Sequence, residues 1–202
     1  MTLIKICGMT LPEDVAHAVG AGADMIGFVL VPWSPRAVDP ERVRELRRAV
    51  PAGVLAVGVL ADADPDHAES VLESADLDRV QVYGGEATAV QTRLGERAIV
   101  ARRIPEDAYD EGDPILLDRA FGDQPEFDEL DRHWRLAADL AAADRRVVLA
   151  GALTPETVGA AVRTARPWGV DVARGVEREP GIKDHARVES FIRAARGESD
   201  DG

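Results

Sequence analysis

The sequence predicts a single-domain α/β protein, a (β/α)8 TIM barrel, on three observations. Short β-branched runs alternate with longer helical stretches along the whole chain, which is the pattern of parallel βα units. Eight such units fit into 202 residues, a length that suits one domain with a sizeable core. The third observation concerns the turn after the first strand, Cys7-Gly8-Met9-Thr10. It holds one glycine, so neither the dinucleotide nor the nucleotide phosphate loop is present, and the doubly wound open sheet loses its main support.

Strands are expected at residues 3–6, 25–31, 54–60, 79–83, 98–102, 115–117, 146–150 and 169–173. Helix starts are written as a capping side chain ahead of a proline or an acidic first turn: Thr10-Leu11-Pro12, Asp39-Pro40-Glu41, Asp64-Pro65-Asp66 and Thr154-Pro155-Glu156. Apolar spacing at Val43, Leu46 and Val50, and at Val158, Ala161, Val162 and Ala165, lays one face of each helix on a sheet. The acidic stretch 105–113 predicts a loop or single turn, so helix five is expected to be short or missing. The barrel is placed at residues 1–196, and the small and acidic residues 197–202 read as a disordered tail.

Composition narrows the function. No apolar run is long enough to span a bilayer, and the first residues lack a signal core, so no membrane partner and a cytoplasmic location are expected. The lone Cys7 excludes an internal disulfide framework and any multi-thiolate metal site, and the four histidines lack ligand spacing, so neither metal nor cofactor is expected. A net charge of −13 leaves no basic stripe for nucleic acid. Lys5 and Lys183 are the only lysines beside 37 acidic residues. Adaptation to a high-salt cytoplasm and replacement of Lys by Arg through genome composition both account for that bias.

The opening Lys5-Ile6-Cys7-Gly8-Met9-Thr10 resembles the first motif of phosphoribosylanthranilate isomerases. Further matching blocks follow in order: Gly22-Ala23-Asp24-Met25-Ile26-Gly27-Phe28, Ser34-Pro35-Arg36, Val80-Gln81-Val82-Tyr83-Gly84, Leu116-Leu117-Asp118, Leu149-Ala150-Gly151, and Gly175-Val176-Glu177 with Gly181-Ile182-Lys183-Asp184. The resemblance implies an Amadori rearrangement of an aminoaldose phosphate to an aminoketose, with Asp118 as general acid and Cys7 as general base. It also implies Arg36 on the substrate's aromatic carboxylate, and Tyr83, Gly151, Ala152, Arg174 and Gly175 among the substrate contacts. The partner is then a small phosphorylated anion, and the protein a monomer or homodimer.

The residues themselves permit this assignment. Cys7 and Asp118 both follow strands, at the carboxyl ends where barrel enzymes place their chemistry. Strand parity puts Lys5 and Cys7 on one face and Ile4 and Ile6 on the other. A thiol near pKa ~8.5 is a poor base, and a carboxyl near ~3.9 a poor acid, unless the site moves them. Plainer readings stand beside these. A cysteine at a strand end is often a small buried hydrophobe, Asp118 could cap a loop, Arg36 could be a surface charge, and Gly151 and Gly175 could serve only turns with positive φ. Lys183 and Asp184 read as the structural entry to the last helix.

The chain also departs from the family pattern. Arg119-Ala120-Phe121-Gly122 replaces a glycine-rich stretch, Tyr83 stands where a histidine is usual, Ala152 replaces a second glycine, and Ala173-Arg174 replaces a serine pair. Two alternative functions follow from these changes: a related aminoaldose isomerase with a different or dual substrate, and a silent barrel that binds a phosphorylated metabolite.

Overall fold

Eight parallel strands close into a barrel in chain order, each hydrogen-bonded to its sequence neighbour and the eighth to the first. The computed structural model describes residues 1–104, 111–119 and 127–198. The strands are β1 (Leu3–Cys7), β2 (Met25–Val29), β3 (Leu55–Ala61), β4 (Arg79–Tyr83), β5 (Ala98–Ile104), β6 (Ile115–Arg119), β7 (Val147–Leu149) and β8 (Gly169–Val172). Among the described residues the helices are α1 (Pro12–Gly20), α2 (Pro40–Arg47), α3 (Pro65–Ser74), α4 (Ala87–Leu94), α5 (Phe127–Ala142), α6 (Pro155–Ala165) and α7 (His185–Arg196). No α-helix is described between β5 and β6; residues 105–110, on which the expectation for the fifth helix mostly falls, lie outside the described residues, as do 199–202 of the tail.

Alternation along each strand divides the core in two. Ile4, Ile6, Ile26, Phe28, Val80, Val82, Ile115, Leu117, Val170 and Val172 point outward and pack with helix residues such as Val15, Val43, Leu46, Val158 and Phe191. Met25, Val57, Ile99, Ala101, Leu116, Val148 and Ala150 fill the barrel interior. Burying each large apolar side chain contributes on the order of 1.5–3 kcal/mol, so the outer layer fixes which face of every strand looks inward. The expected parity of β1 follows from this layer, since Ile4 and Ile6 are wholly buried against helices.

Most start signals work as written. Asp39 and Asp64 accept hydrogen bonds from Arg42 N and His67 N at 2.7 Å, and Thr154 forms a capping box with Thr157. Thr10 does not cap α1: the cap position is Leu11, without a side-chain bond, and the Thr10 hydroxyl donates instead to Gly181 O at 2.6 Å. That bond ties the first loop to an antiparallel hairpin the sequence did not announce, β9 (Glu177–Glu179) with β10 (Ile182–Lys183). Both strands are too short to give a periodic signal. Strand ends also shift. Cys7 is the last residue of β1 and Asp118 the fourth of β6, so both belong to strands rather than to the loops after them.

Candidate active site

Lys5, Cys7, Gln81, Tyr83, Asp118 and Asp171 share the inward parity of β1, β4, β6 and β8, and this places them in the barrel interior and its carboxyl-end mouth. Cys7 packs with Val29, Val31 and Val59, and Tyr83 and Ala173 pack against that cluster. The Tyr83 hydroxyl in turn donates to Asp118 Oδ2 at 2.9 Å. The thiol and the carboxyl, 111 positions apart in sequence, thus lie at the same mouth, with Tyr83 bonded to the carboxyl and packed against the cluster that holds the thiol.

Room for the thiol comes from Gly27, which pairs with Cys7 in the strand register. A Cβ at Gly27 would lie 2.7 Å from Cys7 Sγ and 3.0 Å from its Cα. Gly27→Ala is therefore expected to displace the thiol or spread β1 from β2, with stability falling by roughly 1–3 kcal/mol. Activity should fall further than that loss explains at a temperature where the variant stays folded. Thermal melts beside kcat check it, and wild-type kcat would refute it.

Burial pushes the Cys7 thiol above its ordinary value; Lys5 opposes this, Asp171 adds to it, and Lys183 opposes it. Lys5 is wholly buried, with Nζ 3.0 Å from Asp171 Oδ1. Burial alone would lower its pKa, but Asp171 and Cys7 hold the ammonium above the usual lysine value. The expectation that the site depresses the thiol is thus not met, because burial outweighs Lys5 and Lys183. Asp118, by contrast, is moved toward its task, because burial raises its carboxyl despite the donors on both oxygens, Tyr83 on Oδ2 and Arg119 N on Oδ1 at 2.8 Å.

Arg36 lies across Gly8, whose positive φ and missing side chain make space: a Cβ there would stand 2.7 Å from Arg36 Cδ. Its guanidinium is held by Glu177, with Nε 2.9 Å from Oε1 and Nη2 2.6 Å from Oε2. Glu177 also takes Lys183 Nζ at 2.8 Å, and Lys183 donates on to the backbone oxygens of Cys7 and Ala173. Burial tends to raise Glu177, but Arg36 and Lys183 outweigh it and hold the carboxyl below the usual range. Lys183 thus does more than open the last helix; Asp184 does that, accepting from Arg187 N at 3.1 Å.

On the other side of the mouth, Gly151 has φ +85° and Ala152 φ +56°, a conformation a second glycine would adopt without a Cβ penalty. Gly175 does not occupy the left-handed region; it is small because a Cβ would meet Leu153 O at 2.0 Å, so it presses the eighth loop onto the seventh. Arg174 is exposed. Gly151 also lies against Arg119, whose side chain pairs with Glu129 at 3.2 Å.

Reading the motifs alone left out Asp171, Gln81 and the hairpin residue Glu177 as parts of this centre. A signal existed for two of them: Gln81 and Asp171 are polar residues on the inward parity of otherwise apolar strands, as Lys5 is. Among the described residues no three His, Cys, Asp or Glu side chains are grouped to hold a metal ion, and no helix is long and apolar enough to cross a membrane.

The family model for N-(5'phosphoribosyl)anthranilate (PRA) isomerase matches residues 4–194. A relative from Pseudomonas aeruginosa strain UCBPP-PA14, an N-(5'-phosphoribosyl)anthranilate isomerase, is 40% identical and aligns over 96% of this chain and 94% of its own length. One from Geotalea uraniireducens is 37% identical over 98% of this chain and all of its own. Among solved structures, phosphoribosyl anthranilate isomerase from Thermotoga maritima superposes with a TM-score of 0.84 at 34% identity, covering 98% of this chain and 100% of that one. A phosphoribosyl anthranilate isomerase in complex with reduced 1-(o-carboxyphenylamino)-1-deoxyribulose 5-phosphate gives 0.82 at 33%, over 98% and 100% of the two chains. With likeness of this extent in sequence and in backbone, running from the first strand to the last helix, the chain belongs to the N-(5'-phosphoribosyl)anthranilate isomerase family.

Proposed function

We propose that the chain catalyses the Amadori rearrangement of N-(5-phosphoribosyl)anthranilate to 1-(2-carboxyphenylamino)-1-deoxyribulose 5-phosphate in tryptophan biosynthesis, with Asp118 as general acid and Cys7 as general base. The observation that supports these roles most is the placement of a half-buried, hydrogen-bonded carboxyl and a buried thiol beside a lysine at one barrel mouth. Asp118 protonates the furanose ring oxygen and the ring opens to an imine. Cys7 then removes the C2 proton, and the enolamine formed tautomerises to the ketone. Rescue of a tryptophan auxotroph lacking this step, lost in Cys7→Ala and separately in Asp118→Ala, tests the reading. Well-folded protein that fails to rescue overturns it.

Arg36 fits the substrate's aryl carboxylate because Glu177 occupies only its Nε–Nη2 edge, which leaves the Nη1–Nη2 edge for a second carboxylate. A lysine has no second edge. Arg36→Lys is expected to raise KM by about tenfold or more, the worth of a charge-assisted pair, with a smaller change in kcat; an unchanged KM would remove the role.

The 5-phosphate is placed on the loops after β7 and β8, around Gly151, Ala152 and Gly175, where exposed Arg174 supplies a cation in place of the altered residues. Arg174→Ser should raise KM several-fold if that pairing is worth about 1 kcal/mol. A Michaelis constant equal to that of the parent chain would refute it.

A further inference from the structure

Tyr83 stands between an amide and a carboxyl. Gln81 Nε2 donates to its oxygen at 3.3 Å, and its own hydroxyl proton goes to Asp118 Oδ2 at 2.9 Å. Gln81 is 1% exposed, so this chain of bonds is closed off from bulk water at its inner end. From the reading of Asp118 as the acid, on which this rests, we infer that Tyr83 is a positioning residue for proton donation: its phenol, turned by the Gln81 amide, aims Asp118 and stabilises the carboxylate left when the proton departs.

The chemistry follows from the donor and acceptor inventory. A phenol has one proton and oxygen lone pairs. An N–H aimed at its oxygen turns the O–H away from the amide, and the carboxylate oxygen is the acceptor then within reach. Burial first, and Asp118 second, push the phenol well above its ordinary value of 10.0, so Tyr83 remains a neutral donor and does not compete as a base. When Asp118 transfers its proton to the ring oxygen of the sugar, the carboxylate formed accepts two bonds already in place, from Tyr83 and from Arg119 N. No group has to turn at that moment, which is the condition under which a fixed donor lowers a barrier. Among the described residues, the other charged groups that act on Asp118 are Arg103 on β5, which lowers its pKa and stacks 4.7 Å from the Tyr83 ring centroid, and Asp171 on β8, which raises it.

The test uses the full chain as wild type, Tyr83→Phe, Gln81→Met and the double variant. The readouts are kcat and KM for N-(5-phosphoribosyl)anthranilate across pH and a carbon-detected NMR titration of the Asp118 carboxyl. Tyr83→Phe should lower kcat about tenfold or more, as loss of a bond to a charged group does, with KM within about twofold. It should also move the Asp118 titration to higher pH, because the ionised form loses a donor. Gln81→Met should act in the same direction with a smaller effect, and should add nothing to Tyr83→Phe, since it works only through the phenol.

Additive effects, or a Tyr83→Phe protein with unchanged kcat and titration, overturn the proposal. A wild-type chain inactive on this substrate would defeat the isomerase reading, and the carboxyl titration would still decide the Tyr83–Asp118 link. Should Tyr83→Phe fail to fold, Gln81→Met with an unmoved titration is the refuting result.

Discussion

Asp118→Asn is expected to lower kcat by roughly 10²–10⁴, and Cys7→Ser by a similar factor, the usual worth of a single general acid or base. The double variant should be little slower than the worse of the two, because acid and base act on successive steps and only the slower one limits the rate. The pH profiles separate their roles. Turnover needs the thiolate of Cys7 together with the protonated form of Asp118, yet burial holds the thiol above its ordinary pKa and leaves the carboxyl the stronger acid. Between the two values the pair holds one proton, mostly on sulfur, and the reactive form is the minority with that proton on the carboxyl. Its fraction does not change with pH in that interval, so kcat/KM should run flat between the two values, falling below the carboxyl's pKa and above the thiol's. In Asp118→Asn only the base titrates, and residual activity should climb with pH up to the Cys7 pKa. In Cys7→Ser only the acid titrates, and residual activity should decline as pH rises through the Asp118 pKa. Profiles with these directions exchanged would reverse the assignment.

Much of this centre was legible because strand alternation is a rigid rule. Once Ile4 and Ile6 are read as the helix-facing pair, Cys7 must look into the mouth, and Leu117 facing outward does the same for Asp118. The strand ends were less legible. Arg119 extends β6 beyond the expected residue 117 through pairing with Ile104, and a ladder between strands leaves no mark in either one alone. Glu177 and Lys183 stayed hidden for the same reason: their two short strands are defined by each other and by contacts to Arg36 and Cys7, far away in the chain. Arg36 illustrates the limit well. The family resemblance implies a carboxylate ligand at this position, but only the fold shows that a protein carboxylate already holds one edge. For Gly175 the sequence leaves open a substrate contact or a turn with positive φ; its φ is not positive, and tight approach to Leu153 O is what excludes a side chain.

The buried pair below the thiol gives the second large effect. Asp171→Asn leaves Lys5 wholly buried without its partner, and Lys5→Met leaves Asp171, 9% exposed, without its own. Each is expected to cost about 3–5 kcal/mol in denaturant unfolding, most of it the penalty of a stranded charge. Replacing both at once by Met and Leu should recover most of that loss, since a buried ion pair is often matched in stability by apolar residues of similar volume. Activity should not return with stability. Lys5 lowers the Cys7 pKa by more than Asp171 raises it, so removing the pair shifts the thiol upward and leaves less thiolate at neutral pH. Cys7 is the only cysteine, and the pH dependence of its alkylation therefore reports this one group. The midpoint should move to higher pH in Lys5→Met and in the double variant, and to lower pH in Asp171→Asn. If the double variant regained both stability and turnover, Lys5 would be a core residue that happens to be charged, and the thiol would draw its reactivity from Lys183 or from the substrate itself.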